Sequence, residues 1–334
     1  MVLLPVIWKV LLALTFVAPI ALAEDDDRRQ FGRRKGVGLT LARAGEWTCI
    51  VPYFNEANVI ERCLTSLAAQ LQTPEVILVD NGSTDAGRLI AERCCIANGM
   101  RFRSVTEPIP GKVAALATGL ANTTTEFVAT CDADTFYPPD YLRRAGALLN
   151  NAGVVAAGAV LISDRRDKVR SLLKRGHLSV AARAAPWQCH TGGAGQTFRT
   201  DALRKAGGFD PRIWNLVLED HEVMARVGLT GRIAYDSGFW CNPLIREDRH
   251  GKVGWSLSER LCYHMTSRQS MPAYFVGYLA PRLTQRRQWN IKLRPPILLT
   301  DSPSEQSFAP TTLPSFPVSV HQIRRWPEPA AMMR

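Results

Sequence analysis

Two aspartates, Asp132 and Asp134, stand one residue apart directly after the apolar run "FVATC" (127–131). Carboxylates at positions i and i+2 can point at one ligand where the chain bends. Hard oxygen ligands of this kind suit Mg²⁺ or Mn²⁺, which keep open positions for diphosphate oxygens. The alternative interpretation is an ordinary turn, because Asp is common where strands end. The pair by itself leaves both interpretations open.

Two more acidic residues follow apolar runs in the same way. Glu56 comes after "WTCIVPYFN" (47–55), and Asp80 ends "PEVILVD" (74–80). The surrounding patterns predict four strands (47–54, 74–80, 101–108 and 126–134) that alternate with three helices (55–70, 86–99 and 111–123). This order predicts an α/β fold with a mostly parallel central sheet flanked by helices. Ligands of such sheets bind at the carboxyl ends of strands, where all these acids fall, and this favours a binding site over a turn.

Two common phosphate-binding motifs are incomplete. "GVGLTL" (36–41) begins like a dinucleotide fingerprint, but Leu41 replaces the third glycine and no strand precedes it. "GKV" (111–113) is not a phosphate loop, because Thr106 replaces the first glycine and Val113 replaces the final Ser or Thr. We therefore expect any phosphate to be bound through a metal ion and carboxylates.

The second half of the chain adds a strand (153–162), a basic helix (165–184) and a glycine-rich loop that leads into a helix (189–211). A further helix is predicted for "VLEDHEVMARVGLTG" (217–231), with acids in its first turn. Acids there are ordinary helix N-terminal charge when taken alone. Their position downstream of a complete acidic site favours a functional role.

The motifs together resemble family 2 glycosyltransferases over roughly residues 47–245, and they occur in the order of that family. They are "VPYFNE", "VILVDNGSTD", "GKVAALATGL", "CDADT", "GGAGQTFRTDALRKAGGFDP" and "LEDHEVMARV". The resemblance implies an inverting enzyme with the nucleotide-diphospho-sugar-binding GT-A fold. It also implies that Asp220 is the general base and that Asp134 binds Mg²⁺ or Mn²⁺.

The same resemblance assigns the donor and acceptor sides. The donor-binding residues it implies are Pro52, Glu56, Asp80, Lys112 and Asp132, with Asp80 at the base and Asp132 near the ribose and sugar. The residues it implies for the donor-sugar and acceptor loop are Gly192, Gly193 and Gln196. Glu219 is the alternative base. His221 either tunes the base or faces solvent, and Lys112 either approaches the diphosphate or is a solvated helix start.

The net charge indicates the class of partner, and the cysteine spacing indicates the redox state of the thiols. The 334-residue chain has a net charge of +11 and a pI of about 9.5, which favours anionic partners. We expect a nucleotide-diphospho-sugar donor, a sugar or lipid-linked acceptor and a membrane surface, and no nucleic acid. The eight cysteines include no C-x-x-C pair, which favours reduced, buried thiols over a disulfide framework.

The predicted organisation has five parts: an apolar N-terminal segment (1–23), a basic linker (24–45), the GT-A domain (46–240), a basic helical extension (241–294) and a Pro/Ser-rich disordered tail (295–334). The apolar segment reads first as an anchor, then as a misassigned start, and last as a cleaved signal. The basic flank 28–35 predicts a location at the cytoplasmic face of the membrane. "QIRRW" (322–326) matches a motif of processive polymer synthases, but its distant position favours chance.

The sequence therefore predicts an inverting glycosyltransferase of polysaccharide or glycolipid biosynthesis. Two alternatives stay open. A sugar nucleotidyltransferase would also place aspartates on a metal, but it would need a glycine-rich basic loop after the first strand, and "PYFNEAN" (52–58) is not one. A non-catalytic nucleotide-sugar-binding protein would keep the site and lack turnover.

Overall fold

A computed structural model describes residues 46–163, 167–244 and 254–290. The predictions made for 1–23, 24–45 and 295–334, including "QIRRW", lie outside these residues. The described part contains eight strands: β1 Trp47–Tyr53, β2 Glu75–Asp80, β3 Arg101–Thr106, β4 Phe127–Thr130, β5 Thr135–Phe136, β6 Val154–Leu161, β7 Gln196–Arg199 and β8 Arg232–Pro243.

The α-helices of the described residues flank this sheet and continue beyond it. They are α1 Ile60–Ala68, α2 Gly87–Ala97, α3 Lys112–Ala121, α4 Tyr141–Leu149, α5 Lys168–Ala184, α6 Thr200–Lys205, α7 Glu219–Thr230, α8 Leu257–Met265, α9 Met271–Ala273 and α10 Ala280–Gln285. A π-helical stretch, Tyr274–Leu279, joins α9 to α10, and two short 3₁₀ turns cover Gly193–Gly195 and Arg268–Ser270. In the described residues no helix is both long enough and apolar enough to span a bilayer.

The strands form one sheet in the order β3-β2-β1-β4-β7-β6-β8-β5. The pairs β1–β2, β2–β3, β1–β4 and β6–β8 are parallel, whereas β7 is antiparallel to both of its neighbours and β5 to β8. The predicted α/β fold with a mostly parallel sheet is confirmed. Its parallel half brings the ends of β1, β2 and β4 to one edge, as the acidic motifs require.

Three larger hydrophobic cores and a small one, formed by Val160, Ile162 and Leu178, hold the sheet and helices together. The first core contains residues of the sheet with α1, α2 and α4, and the second contains residues of the sheet with α3, α6 and α7. All six residues of β2 are buried, as expected for a central strand covered on both faces. All eight cysteines lie among the described residues without a disulfide, and all except Cys262 are buried.

The third core packs the C-terminal helices against α7, through residues such as Tyr263 and Phe275. Helix α8 begins with a capping box, in which the Ser256 hydroxyl accepts from Glu259 N and the Glu259 carboxylate accepts from Ser256 N. The Glu259 carboxylate also binds the Arg286 guanidinium at 2.9 Å. The capping box stabilises the first turn of α8, and the ion pair joins α8 to the end of α10.

The observed elements differ from the sequence prediction in three places. Strands β7 and β8 were not predicted, and β8 runs through Pro243, so it crosses the predicted domain boundary at 240/241. The pairing of β8 with β6 shifts register between Gly158 and Val160. This irregularity and the polar residues at 236–238 break the alternation that would have revealed a strand. Helix α1 begins at Ile60 rather than at Asn55, because residues 55–59 form the turn after β1.

Candidate active site

Lys112 connects the aspartate pair to the first turn of α7. Its ammonium Nζ lies 2.6 Å from Asp132 Oδ1 and 3.7 Å from Glu219 Oε1. Burial would lower the pKa of Lys112, but the carboxylates of Asp132 and Glu219 outweigh it, and the net effect raises the pKa. Lys112 therefore stays charged and is the counter-ion of a carboxylate cluster rather than a solvated helix start.

Asn81, which the sequence analysis did not single out, positions Lys112. Its side-chain amide donates to the carbonyl oxygens of Glu107 and Ile109, at 2.9 and 2.8 Å. Its Oδ1 accepts from Gly111 N at 2.9 Å. Gly111 has a φ of 128°, a conformation that favours glycine, and it is the N-cap of α3. The end of β2 thus determines where α3 begins and where Lys112 lies.

Tyr137 is a second positioning residue that the motifs did not reveal. Its hydroxyl accepts from Asp132 N at 2.9 Å and donates to Ala194 O at 3.1 Å. Thr130 Oγ1 donates to Gly193 O at 2.6 Å. The turn after β4 and the glycine-rich loop are therefore joined by two hydrogen bonds. No signal in the sequence pointed to Tyr137, because its partners Asp132 N and Ala194 O are backbone groups.

The glycines of this loop allow close approach of the site residues. A Cβ on Gly193 would lie 3.1 Å from Lys112 Nζ, and a Cβ on Gly192 would lie 2.9 Å from Leu161 Cδ1. The predicted loop residues Gly192 and Gly193 thus lie beside the charged cluster. Gln196 has a different position: it is buried, and its amide donates to Asp220 O at 2.9 Å. It holds the backbone of Asp220.

Asp220 and His221 form a hydrogen-bonded pair. Asp220 Oδ1 accepts from the backbone N of His221 and contacts His221 Nδ1, both at 2.8 Å. The His221 ring packs against Trp255 and Tyr263, with centroid distances of 4.9 and 5.8 Å. The solvent-facing alternative for His221 is therefore wrong, because these two rings cover it and leave only 18% of the side chain exposed.

The two adjacent acids of α7 differ in acidity. Burial raises the pKa of Glu219 to about 7, although Lys112 opposes the rise. Burial also acts on Asp220, but His221 and Lys112 outweigh it and lower the pKa of Asp220 below its usual value. At neutral pH Asp220 is a carboxylate, while Glu219 is partly protonated. Of the two acids, Asp220 has the form that a proton acceptor needs.

The backbone before these acids is strained. Leu218, the N-cap of α7, has a φ of 68° and a ψ of 29°, which is the left-handed region that residues other than glycine rarely adopt. Such conformations persist where surrounding contacts hold them, often at functional sites. Here the conformation directs the first turn of α7, with Glu219 and Asp220, toward Lys112.

The predicted donor-binding acids lie at the ends of β1 and β2. Asp80 is buried, and its Oδ1 accepts from Ser83 N at 2.8 Å. The two strand-end loops are joined, because Asn55 Oδ1 accepts from Thr84 N at 2.8 Å and Asp85 Oδ2 accepts from Ala57 N at 2.9 Å. Glu56 lies within the first of these loops.

Pro52 lies where β1 loses one of its two neighbours. Ile50, whose carbonyl accepts from Cys131 N, is the last residue of β1 paired with β4. Two residues later, the backbone nitrogen of Pro52 points to the same side as Ile50, where β4 no longer lies beside β1. Its missing N–H therefore costs the sheet no hydrogen bond. The sheet therefore opens at this point, beside the aspartate turn.

The aspartate turn fits a metal that a diphosphate also binds. Asp132 and Asp134 are partly exposed, whereas Ala133 between them is buried, so both carboxylates lie on the open side. The described residues contain no group of three or more His, Cys, Asp or Glu side chains that could enclose an ion. Mg²⁺ is commonly bound by one or two carboxylates together with substrate phosphates and water, and this donor set suits that arrangement.

Comparison with known proteins identifies the domain. Residues 48–206 match the family model "Glycosyl transferase family 2". The chain contains a family 2 glycosyl transferase domain. The uncharacterized glycosyltransferase YaiP of Escherichia coli (strain K12) is 32% identical over 173 residues, which are 48% of this chain and 43% of the relative. The uncharacterized glycosyltransferase alr2836 of Nostoc sp. is 27% identical over 176 residues, 50% of this chain and 55% of the relative. This chain thus spans about half the length of these relatives.

A solved structure supports the same fold for the glycosyl transferase domain. The mannosyltransferase PcManGT from Pyrobaculum calidifontis, in complex with GDP-Man and Mn²⁺, superposes with a TM-score of 0.57 at 22% sequence identity. The superposition covers 80% of this chain and 74% of that chain. The likeness confirms the predicted GT-A fold. The individual roles of the site residues stay predictions.

Proposed function

We propose that the protein is an inverting glycosyltransferase that moves a sugar from a nucleotide-diphospho-sugar to an acceptor hydroxyl. The observation that carries this proposal is the position of Lys112, which contacts both the aspartate turn after β4 and the acids of α7. The proposed donor-binding turn and the acids proposed to act on the acceptor are thereby joined by one side chain. The family 2 domain supports this choice of reaction.

The proposed reaction is a single displacement. The acceptor hydroxyl oxygen attacks the anomeric carbon and forms the new C–O bond, while the bond from that carbon to the diphosphate oxygen breaks. Asp220 takes the hydroxyl proton. Its Oδ1 is hydrogen-bonded to His221, which leaves Oδ2 for this proton, and Oδ2 lies toward Gly192. Attack opposite the leaving group inverts the anomeric configuration.

The other site residues bind and orient the donor. Glu56 and Asp80 hold the nucleoside, with Pro52 beside them, and Asp132 lies near the ribose and sugar. Lys112 places a positive charge beside the diphosphate. Asp134 would hold Mg²⁺ or Mn²⁺, which would supply positive charge for the leaving diphosphate.

The proposed setting is polysaccharide or glycolipid assembly at the cytoplasmic face of a membrane. The basic flank 28–35, which follows the apolar segment 1–23, supports this location. The net charge of +11 is consistent with an anionic surface as a partner.

A thermal-shift screen of nucleotide sugars with and without Mn²⁺ tests the donor site. We expect one nucleotide sugar to stabilise the protein only when Mn²⁺ is present, and Asp134→Ala to abolish this effect. Asp201→Ala is the control, because Asp201 is an exposed acid of α6. Unchanged Mn²⁺-dependent affinity in Asp134→Ala would refute the metal assignment.

Product analysis separates the proposed reaction from its alternatives. A transferase releases a nucleoside diphosphate from the identified donor, whereas a nucleotidyltransferase releases a sugar phosphate when it is given pyrophosphate. A non-catalytic binding protein releases neither product. Release of nucleoside diphosphate that requires Asp220 supports the proposal, and either other result contradicts it.

A further inference from the structure

A cavity of about 560 Å³ opens beside the Asp220–His221 pair. His221 and Gly192 line it on the side of the active site, and helices α5 and α8 line it on the outer side. We propose that this cavity is the acceptor site and that it binds an acceptor carrying an anionic group, a phosphate or a carboxylate. This inference rests on the proposed function and names the class of acceptor, which the proposed function leaves open.

The charge of the cavity wall carries the proposal. Arg170 and Lys174 of α5 and Arg260 of α8 line it, and its lining includes no Asp or Glu. Within the described residues, neither Arg170 nor Arg260 has a carboxylate within salt-bridge distance, whereas Arg226 and Arg286 each bind a glutamate. Lys174 Nζ donates to Leu161 O at 3.1 Å and keeps two further N–H groups. Among the described residues, the three cations on this wall have no carboxylate partner, which leaves them available to an anionic group of a ligand.

Two of the four histidines that line the cavity, His190 and His264, add hydrogen-bonding groups rather than charge. Burial lowers the pKa of His190 to about 4, and it also lowers the pKa of His264. His190 Nε2 contacts Ala185 O, and His264 Nδ1 contacts Gln188 Oε1. These two rings are thus neutral at pH 7, and the permanent positive charge of the wall comes from the arginines and the lysine.

The cavity is connected to the proposed base. A Cβ on Gly192, a lining residue, would lie 3.6 Å from Asp220 Oδ2. A ligand in the cavity can therefore direct a hydroxyl to Oδ2 while its anionic group binds α5 and α8. The rings of Trp255 and Tyr263 also line the cavity and offer an apolar surface to a sugar or linker. The volume is within the range of small-molecule sites.

The anionic group has two conceivable sources, a water-soluble phosphorylated acceptor and the headgroup of a lipid-linked acceptor. Leu173 of α5 lines the cavity and is 61% exposed. Its side chain would contact an acyl or prenyl tail, and a water-soluble acceptor would leave it in water.

The first experiment measures anion binding without turnover. Titration calorimetry follows sodium phosphate binding at constant ionic strength, with the donor site filled by nucleoside diphosphate and Mg²⁺. We expect the double variant Arg170→Gln/Arg260→Gln to weaken phosphate binding at least ~10-fold, because two of three cations are lost. The matched control Lys168→Gln/Arg183→Gln removes the same charge from exposed positions of α5 outside the cavity. Equal affinity in the two double variants would overturn the anion site.

The second experiment measures transfer with paired acceptors. Glycerol is compared with glycerol 3-phosphate in buffer, and diacylglycerol with phosphatidylglycerol in phosphatidylcholine vesicles, because each of these acceptors keeps a free hydroxyl. We expect product only with an anionic member, and a KM for it at least ~10-fold higher in Arg170→Gln/Arg260→Gln with unchanged kcat and donor hydrolysis. Equal transfer to the neutral members would overturn the proposal. Loss of phosphate binding in the variant, with no donor turnover in any protein, would contradict the proposed function and leave the anion site standing.

Discussion

At the scale of single residues, the two oxygens of Asp220 have different neighbours. Oδ1 binds His221, and Oδ2 lies toward the cavity at Gly192. We predict that Asp220→Asn lowers turnover by about 10²- to 10⁴-fold, roughly 3 to 5 kcal/mol of barrier, because the amide cannot accept the proton. Donor affinity should remain near normal, since the proposed donor-binding residues Glu56, Asp80 and Asp134 are unchanged in this variant.

The adjacent acid provides the comparison for this variant. Glu219→Gln should lower turnover less than Asp220→Asn, because Glu219 is partly protonated at neutral pH. Steady-state turnover and donor titration in both variants check the pair of expectations. Retained turnover in Asp220→Asn, or a larger loss in Glu219→Gln, would assign the base role to Glu219.

His221 is expected to set the pH range in which Asp220 works. Its hydrogen bond and charge lower the pKa of Asp220, so His221→Phe should raise that pKa. Loss of one charge-assisted hydrogen bond, about 1.5–3 kcal/mol, corresponds to about 1–2 pH units. A base is active above its pKa, and we therefore predict that the acidic limb of kcat/KM moves to higher pH.

The pH profile of donor hydrolysis measures this shift. His264→Phe is the control, because His264 packs on the same Tyr263 ring but contacts Gln188 instead of Asp220. An acidic limb that stays in place in His221→Phe, or moves equally in His264→Phe, would show that His221 is not coupled to the base.

At this scale, the sequence revealed the acidic residues of the site but not the residues that position them. Asp132, Asp134, Glu219 and Asp220 are recognisable because they interrupt apolar patterns or begin a helix. Asn81 and Tyr137 act through backbone groups that are distant along the chain, such as Gly111 N and Ala194 O. Residue type and spacing carry no information about such partners. Only the folded chain shows them.

At the scale of elements, one hydroxyl joins the turn after β4 to the glycine-rich loop before β7. We predict that Tyr137→Phe costs about 1–3 kcal/mol of unfolding free energy, because Asp132 N and Ala194 O lose their shared partner inside the protein. Activity should fall as well, since the turn and the loop both contribute to the site. Denaturant unfolding and donor turnover measure the two effects.

A neighbouring tyrosine is the matched control. Tyr141 packs on Tyr137 with ring centroids 4.9 Å apart, and its hydroxyl is buried without a hydrogen-bond partner among the described residues. Tyr141→Phe should therefore be neutral or stabilising. A destabilisation as large as that of Tyr137→Phe would mean that the ring environment, and not the hydrogen bonds, determines the cost.

The buried ion pair of α7 is a second link between elements. Glu222 and Arg226 are 4% and 5% exposed and lie 2.6 Å apart, and Arg226 also donates to Ala206 O and Gly208 O. We predict that Glu222→Gln destabilises the protein by about 3–5 kcal/mol, because it leaves a buried guanidinium without its counter-ion.

An exposed pair of the same spacing tests that reasoning. Arg88 and Glu92 of α2 are also four residues apart but are 51% and 31% exposed. Glu92→Gln should cost about 0.3–0.5 kcal/mol. Thermal unfolding of both variants compares the pairs, and equal costs would refute the role of burial.

Sequence patterns predicted the elements with strong periodicity and missed the irregular ones. β2 is a continuous apolar run, and α7 has an acidic first turn and a glycine after its last residue. β7 has only four residues inside a glycine-rich segment, and β8 contains the polar stretch 236–238. These segments become strands because they pair with β4 and β6. Such tertiary contacts cannot be predicted from local sequence patterns.

At the scale of the whole molecule, charge and the apolar segment 1–23 predict different strengths of membrane binding. Attraction by a net charge of +11 is screened as salt is added. An inserted apolar segment is not released in this way. We predict that the full chain stays with anionic phospholipid vesicles in 0.5 M salt during sedimentation. Complete release would indicate that charge alone brings the protein to the surface.

The reactivity of the cysteine thiols reports how often each hydrophobic core opens. Six belong to the first core, Cys189 belongs to the second, and Cys262 packs at the edge of the third. Burial raises the pKa of the Cys63 and Cys189 thiols, so they react slowly while the cores are closed. A thiol-reactive dye added under native conditions should therefore label Cys262 first. The labelling times of the remaining thiols would then rank how often each core opens.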